Sequence, residues 1–380
     1  MTLSTAEREL VARAAALVRD KTILSPPELE RDGAYCWSAM RSAAQLGLMG
    51  MRIPASKGGL GFTFAFQASL AEELARVDFG FALALMNSAG MAAKLVAEAH
   101  PAVARSLVPG LLTGAHVACT GLTELAAGSD FAAIETSATR IANGWLLDGS
   151  KAWVTNAAVA RVVVVYAQTE QGSGARGIAS FVVDTERRGF MHQAAFDLPL
   201  LNTFGLGGFG LENYEASDQE MLQPPGQAFK SALAGINGAR TYVAAMACGM
   251  VAECLDIAQA YGEGRRSFGK ALREHQGWRW PLAEAATDLA AARHLVQAAC
   301  DRIDQGIDAQ LEAAQAKLFA TRMAERHLPA LAQAMGAEGL RAEHPFGRHQ
   351  FAARASNLVD GSSEMLRERI FSGLGRVKSH

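Results

Sequence analysis

The chain has 380 residues, more than one hydrophobic core usually organises, so two or three substructures are expected and a single small module is excluded. Half of the residues are hydrophobic and only 19% are charged, which leaves apolar material for a large buried interface between copies of the chain. The formal net charge is −2 with Lys and Arg spread along the sequence, so neither nucleic acid nor an anionic membrane surface is an expected partner.

From the N-terminus to about residue 115 the apolar spacing is helical. Leu10, Ala14, Leu17 and Val18 form one stripe, and the run from Ala65 to Asp78 repeats it. The first twenty residues carry charges every few positions and no apolar core of a leader, and no uncharged apolar stretch is long enough to span a bilayer. The five cysteines, Cys36, Cys119, Cys248, Cys254 and Cys300, are scattered and form no C-x-x-C pair, which argues against disulfides or a zinc site and favours a reducing cytoplasm.

Between Val117 and about Gln223 the period changes to short β-branched and aromatic runs, WLLDGSKAWVT, RVVVVYAQ and GIASFVVD, separated by Gly, Asn and Asp turns. The cluster GLGGFG, Gly205 to Gly210, precedes neither a helix nor a Lys-Ser/Thr pair and reads as a turn between strands, not a phosphate loop. From Phe229 onwards long Ala-rich helical stretches follow, with breaks near Gly262 to Gly269, Gly306, Gly336 to Gly339 and Pro345. The expected division is a helical domain over 1–116, a β domain over 117–225 and a helical bundle over 226–380. A doubly wound sheet, which alternates strand and helix, is disfavoured.

Four segments in this order resemble the acyl-CoA dehydrogenase family: LGLMGMRIPASKGGLGF from Leu46, LTELAAGSD from Leu122, GSKAWVTNA from Gly149, and YGEGRRSFGKALREHQ from Tyr261. The resemblance spans nearly the whole chain. It implies an α+β multidomain fold: an N-terminal helical domain, a middle β-barrel or sandwich, and a C-terminal four-helix bundle. It also implies FAD as cofactor and an acyl thioester, on CoA or an acyl carrier protein, as substrate. The reaction implied is oxidation to the α,β-enoyl thioester, by removal of the α-proton and transfer of the β-hydride to flavin N5. Electron-transfer flavoprotein or oxygen is the implied electron acceptor, and a homodimer or homotetramer the implied assembly.

Residue by residue, the resemblance directs Leu122, Thr123, Trp153 and Thr155 to the isoalloxazine ring and Ser129 to the substrate. A planar redox ring requires flat apolar walls and a few tuning donors, which a Trp and two Thr supply. Taken alone, Trp153 reads equally as a residue of a β core. Arg265 is directed to the pyrophosphate of a neighbouring subunit's FAD, with Phe268 and Gln276 beside it, because a guanidinium fork matches a diphosphate. The family spacing selects Arg265 over Arg266. Gln333 and Gly336, in QAMGAEGL, resemble the family's turn over the ADP part of the cofactor. Arg240 is either a ligand for the substrate's pantetheine end or one side of a salt bridge.

Near the C-terminus LVDGSSEML resembles the family's Y-E-G-T-S-x-I stretch. In this register Asp360 stands where the catalytic base stands, Gly361 toward the substrate, and Ser362 and Glu364 toward the cofactor. The family's other base position falls on Ala239, which carries no proton acceptor. Aspartate is one methylene shorter than the usual glutamate, so the pocket or the substrate must differ. Nitroalkane oxidation, flavin monooxygenation and a non-catalytic member therefore stay open beside acyl thioester dehydrogenation.

Overall fold

A computed structural model of the chain describes residues 3–20 and 35–374. Ten α-helices and ten strands lie among the described residues, in a helical block, a block of eight strands and a second helical block that holds the remaining two strands as a hairpin. The first block holds α1 (Thr5–Arg19), α2 (Trp37–Gln45), α3 (Phe64–Ala75), α4 (Phe79–Glu98) and α5 (Pro101–Leu112). Side-chain caps start these helices: Ser4 and Glu7 form a reciprocal capping box on α1, and the Thr63 and Asp78 oxygens accept from Phe66 N and Phe81 N on α3 and α4.

The second block contains β1 (Ala118–Gly121), β2 (Ser137–Ile141), β3 (Gly144–Val154), β4 (Val162–Gln168), β5 (Ile178–Asp184), β6 (Phe190–His192), β7 (Gly207–Ala216) and β8 (Met221–Gln223). They run β6-β7-β3-β2-β4-β5-β8, with β1 parallel to β4. The link between β2 and β4 is a single pair, Ser137 with Gln168, so the sheet folds there into two layers. Leu147, Phe209, Leu211 and Tyr214 of one layer meet Val163, Val165, Phe181 and Val183 of the other in one core. The opposite face of β4 and β5, with Val162, Val164, Tyr166 and Val182, packs on Leu95, Val108 and Leu111 of the helices. Because both faces of these strands are covered, their sequence is continuously apolar and does not alternate.

The expected turn at GLGGFG is a strand for most of its length: β7 begins at Gly207 and pairs with β3 across a bulge between Lys151 and Val154. Glycine is required opposite that bulge, since a Cβ at Gly208 would lie 2.6 Å from the Lys151 carbonyl oxygen.

The third block is α6 (Ala228–Gly264), the short hairpin strands β9 (Arg266–Ser267) and β10 (Lys270–Ala271), α7 (Gln276–Asp304), α8 (Gln310–Ala334), α9 (Phe346–Ser356) and α10 (Ser363–Leu374). The central stretch of α6, Val243 to Val251, is buried throughout, and its small residues let neighbours approach closely. A Cβ at Gly249 would meet the Glu72 carbonyl of α3 at 2.0 Å. By length and composition α4 and α6 are apolar enough to cross a membrane, but both are mostly buried against the rest of the protein, as core helices are.

Candidate functional site

The LTELAAGSD and GSKAWVTNA motifs are fastened together by a buried ion pair. Glu124 accepts from Lys151 Nζ at 2.7 Å, from the Glu135 and Thr136 amides at 2.7 and 3.0 Å, and from the Thr136 hydroxyl at 2.5 Å. Lys151 also donates to the Leu122 carbonyl at 3.2 Å, and the Ala152 amide donates to the Thr123 carbonyl at 3.0 Å. Burial pushes the Lys151 ammonium down to about 8 against the pull of Glu124. Burial works to raise the Glu124 carboxyl, and Lys151 with the Glu135 and Thr136 donors outweighs it, holding the acid below the ordinary carboxylate range. Neither Glu124 nor Lys151 was singled out from the sequence. The signal available was two opposite charges inside apolar motifs, where an unpaired charge is not tolerated.

The bulge in β3 turns Trp153 outward with φ 58°, leaving it 55% exposed and tilted against Phe196 at 4.7 Å. Two residues on, Thr155 is buried, and Asn156 closes the strand with φ 68°. The Asn156 side chain donates to the Ala84 and Ala118 carbonyls and accepts from the Tyr35 hydroxyl, which docks this edge onto the N-terminal helices. Among the described residues the Thr123 and Thr155 hydroxyls have no protein partner, and Ser129 lies exposed on the loop before Asp130. An open indole face beside two unused hydroxyls fits a flat, polar-edged ring.

A second group lies at the far end of the bundle. Arg265 caps α6, and its exposed guanidinium meets no acidic side chain among the described residues; Arg266 is engaged by the Gly269 carbonyl at 2.7 Å. Phe268, with φ 49°, stands at the hairpin tip and is 96% exposed. Gln276 opens α7, while Gln333 and Gly336 lie at the end of α8 and just after it, all three exposed. The structure brings these segments together, because Trp278 Nε1 donates to the Ala334 carbonyl at 2.8 Å. A free guanidinium and an uncovered aromatic at this end fit the diphosphate and ADP portion of a dinucleotide.

The third group surrounds Asp360, on the turn between α9 and α10. Asp360 and Gly361 are left-handed, with φ 54° and 105°. Arg240, buried on α6, donates from Nε to the Asp360 carbonyl at 2.9 Å and from Nη1 to Asn237 Oδ1 at 3.1 Å. It forms no salt bridge among the described residues. Gly361 packs beside it, where a Cβ would stand 3.2 Å from Arg240 Nη2. Ser362 Oγ accepts from the Met365 amide at 3.5 Å, near the start of α10, and the exposed Glu364 pairs with Arg367. The Asp360 carboxyl keeps some solvent access, yet protein surrounds it on most sides. Burial raises it to about 6, against the opposing charges of Lys317 and Arg240. Lys317 was not foreseen; a lone Lys among the alanines of EAAQAKLFA was the visible sign.

Three family domains are recognised along this chain: acyl-CoA dehydrogenase N-terminal domain over residues 4–115, middle domain over 119–206, and C-terminal domain over 226–375. Glutaryl-CoA dehydrogenase of Desulfococcus multivorans is 31% identical over 333 residues, 86% of this chain and 85% of the relative. Short-chain specific acyl-CoA dehydrogenase of Megasphaera elsdenii is 30% identical over 350 residues, 90% of this chain and 91% of the relative. The solved butyryl-CoA dehydrogenase of the same organism superposes with a TM-score of 0.93 at 27% identity, covering 99% of this chain and 100% of that one.

Fold and site together define a flavoprotein oxidoreductase acting on CH–CH bonds, with FAD as its cofactor. The chain belongs to the acyl-CoA dehydrogenase family.

Proposed function

We propose that the chain oxidises an acyl thioester, carried on CoA or an acyl carrier protein, to the α,β-enoyl thioester, with Asp360 removing the α-proton. The observation that carries this reading is the placing of Asp360: a carboxyl drawn up to about 6 between two buried cations, close enough to neutrality to accept a proton and return it. FAD, when bound, supplies the acceptor for the electron pair that leaves the β-carbon. Leu122, Thr123, Trp153 and Thr155 hold its ring, on a wall kept rigid by the Glu124–Lys151 pair. Ser362 and Glu364 lie on its other side. Ser129 and Gly361 meet the thioester, and Arg240 braces the turn that carries the base while lining the same pocket.

Arg265, Phe268, Gln276, Gln333 and Gly336 hold the ADP part of a cofactor belonging to another subunit. Geometry supports this assignment: Arg240 lies on α6 and Arg265 caps its C-terminal end, so at a rise of about 1.5 Å per residue they stand about 37 Å apart. A dinucleotide with its ring beside Asp360 does not reach Arg265 of the same chain, so a homodimer or homotetramer completes the site. The reading also takes a three-domain division at 116 and 225, the cytoplasm as the setting, and electron-transfer flavoprotein or oxygen as the acceptor. The test is an anaerobic titration of the flavin against acyl-CoA and acyl-carrier thioesters. Bleaching by at least one thioester is expected; bleaching by nitroalkanes alone, or a protein that cannot be loaded with FAD, would contradict the reading.

A further inference from the structure

The turn that presents Asp360 places two successive residues, Asp360 and Gly361, in the left-handed region, and its direction depends on what holds it. Arg240 grips one point, the Asp360 carbonyl. The others are gripped from α8: Lys317 Nζ donates to the Asn357 carbonyl at 3.0 Å and to the Gly361 carbonyl at 2.7 Å, closing the turn at both ends. Lys317 is fully buried, at 0% exposure, and no carboxylate lies within ion-pair distance of it among the described residues. Two carbonyls do not demand a charged donor, and burying an ammonium without a contacting anion costs several kcal/mol. An ammonium held there without a contacting carboxylate places its charge beside the turn that carries Asp360.

We propose that Lys317 is a positioning residue for the base: its ammonium ties Asn357 to Gly361 so that the Asp360 carboxyl is aimed at the substrate, and its charge favours the carboxylate over the acid. The inference rests on Asp360 being the base. The groups facing this turn from the packed elements are Arg240 and Tyr242 on α6, Lys317 on α8, and Glu364 and Arg369 on α10. Burial pushes the Lys317 ammonium down to about 8, so it stays charged through the range in which Asp360 titrates. The effect acts at a distance on the carboxyl and directly on its backbone.

The experiment is single-turnover flavin reduction by an accepted thioester, from pH 5 to 9, in FAD-loaded Lys317→Met, Lys317→Gln and Asp360→Asn enzymes. The Met variant is expected to retain FAD, to lose about 10²-fold in the reduction rate, as a misplacement near 1 Å does, and to shift its acid limb to higher pH. The Gln variant, whose shorter uncharged amide still offers N–H donors to these carbonyls, is expected to recover part of the rate with the limb still displaced. It carries the comparison if the Met variant does not fold. A purely structural lysine would lower FAD content or melting temperature and leave the acid limb unmoved, and that result overturns the proposal. A fully active Asp360→Asn enzyme removes the assignment of the base itself. An inactive one beside an unmoved limb removes only the role of Lys317.

Discussion

The Glu124–Lys151 pair offers a quantitative test of how the proposed flavin wall is built, through Glu124→Leu, Lys151→Met and the double variant. Removing Lys151 leaves Glu124 with three donors, the Glu135 amide and the Thr136 amide and hydroxyl, and frees the Leu122 carbonyl. Removing Glu124 strands a fully buried ammonium and also leaves those three donors unmet. Breaking a buried pair costs about 3–5 kcal/mol, and each buried unmatched donor adds about 1–3 kcal/mol. Lys151→Met is therefore expected near about 3 kcal/mol and Glu124→Leu at about 5 kcal/mol or more, by urea unfolding of the FAD-loaded protein. In the double variant the lone ammonium is gone, so its loss should fall short of the sum of the singles by at least about 2 kcal/mol. FAD content should decline in the same order, since the pair sets the Leu122 and Thr123 backbone. Additive singles, or a Lys151 variant less stable than the Glu124 one, would refute the argument.

At the other end of the bundle, Arg265→Ala should weaken FAD retention by about 10- to 100-fold, the equivalent of a charge-assisted bond of about 1.5–3 kcal/mol. Arg266→Ala, whose guanidinium is spent on the Gly269 carbonyl, should leave flavin absorbance per protein nearly unchanged after gel filtration. The pH dependence of kcat/KM follows from Asp360. Burial raises its carboxyl to about 6, and only the ionised form accepts a proton, so activity should climb tenfold per unit below about pH 6 and level off above it. An acid limb near the ordinary aspartate range, about 4, would mean that Asp360 is solvated in the working enzyme.

The fold was legible because its signals are local. The switch from helical spacing to β-branched runs near Val117, and back near Phe229, follows from which faces are buried, and each short segment carries that information by itself. GLGGFG was misread because glycine is the letter of both a turn and a close strand crossing; only the bulge at Ala152 and Trp153 on the partner strand distinguishes them. The groups that brace the candidate site were invisible for a related reason. Lys317 meets Gly361 across 44 positions and Glu124 meets Lys151 across 27, contacts that no local spacing encodes. Arg240 was left between substrate ligand and salt bridge. Its grip on a backbone carbonyl takes the place of the salt bridge, and becomes evident only once the turn at Asp360 is in view. The choice of Arg265 over Arg266 rests on a motif; the hairpin adds that the Arg266 guanidinium donates to the Gly269 carbonyl.

The central claim is that Asp360 takes the α-proton of a thioester, and the most direct measurement is the anaerobic reduction rate of the flavin in Asp360→Asn. The amide is nearly isosteric and the backbone bonds from Arg240 and Lys317 do not involve the carboxyl, so the variant should fold, hold FAD and bind substrate. Its flavin should bleach slower than that of the wild type by several orders of magnitude, because the amide cannot accept the α-proton. Bleaching at the wild-type rate would contradict the account and place the base, or the reaction, elsewhere.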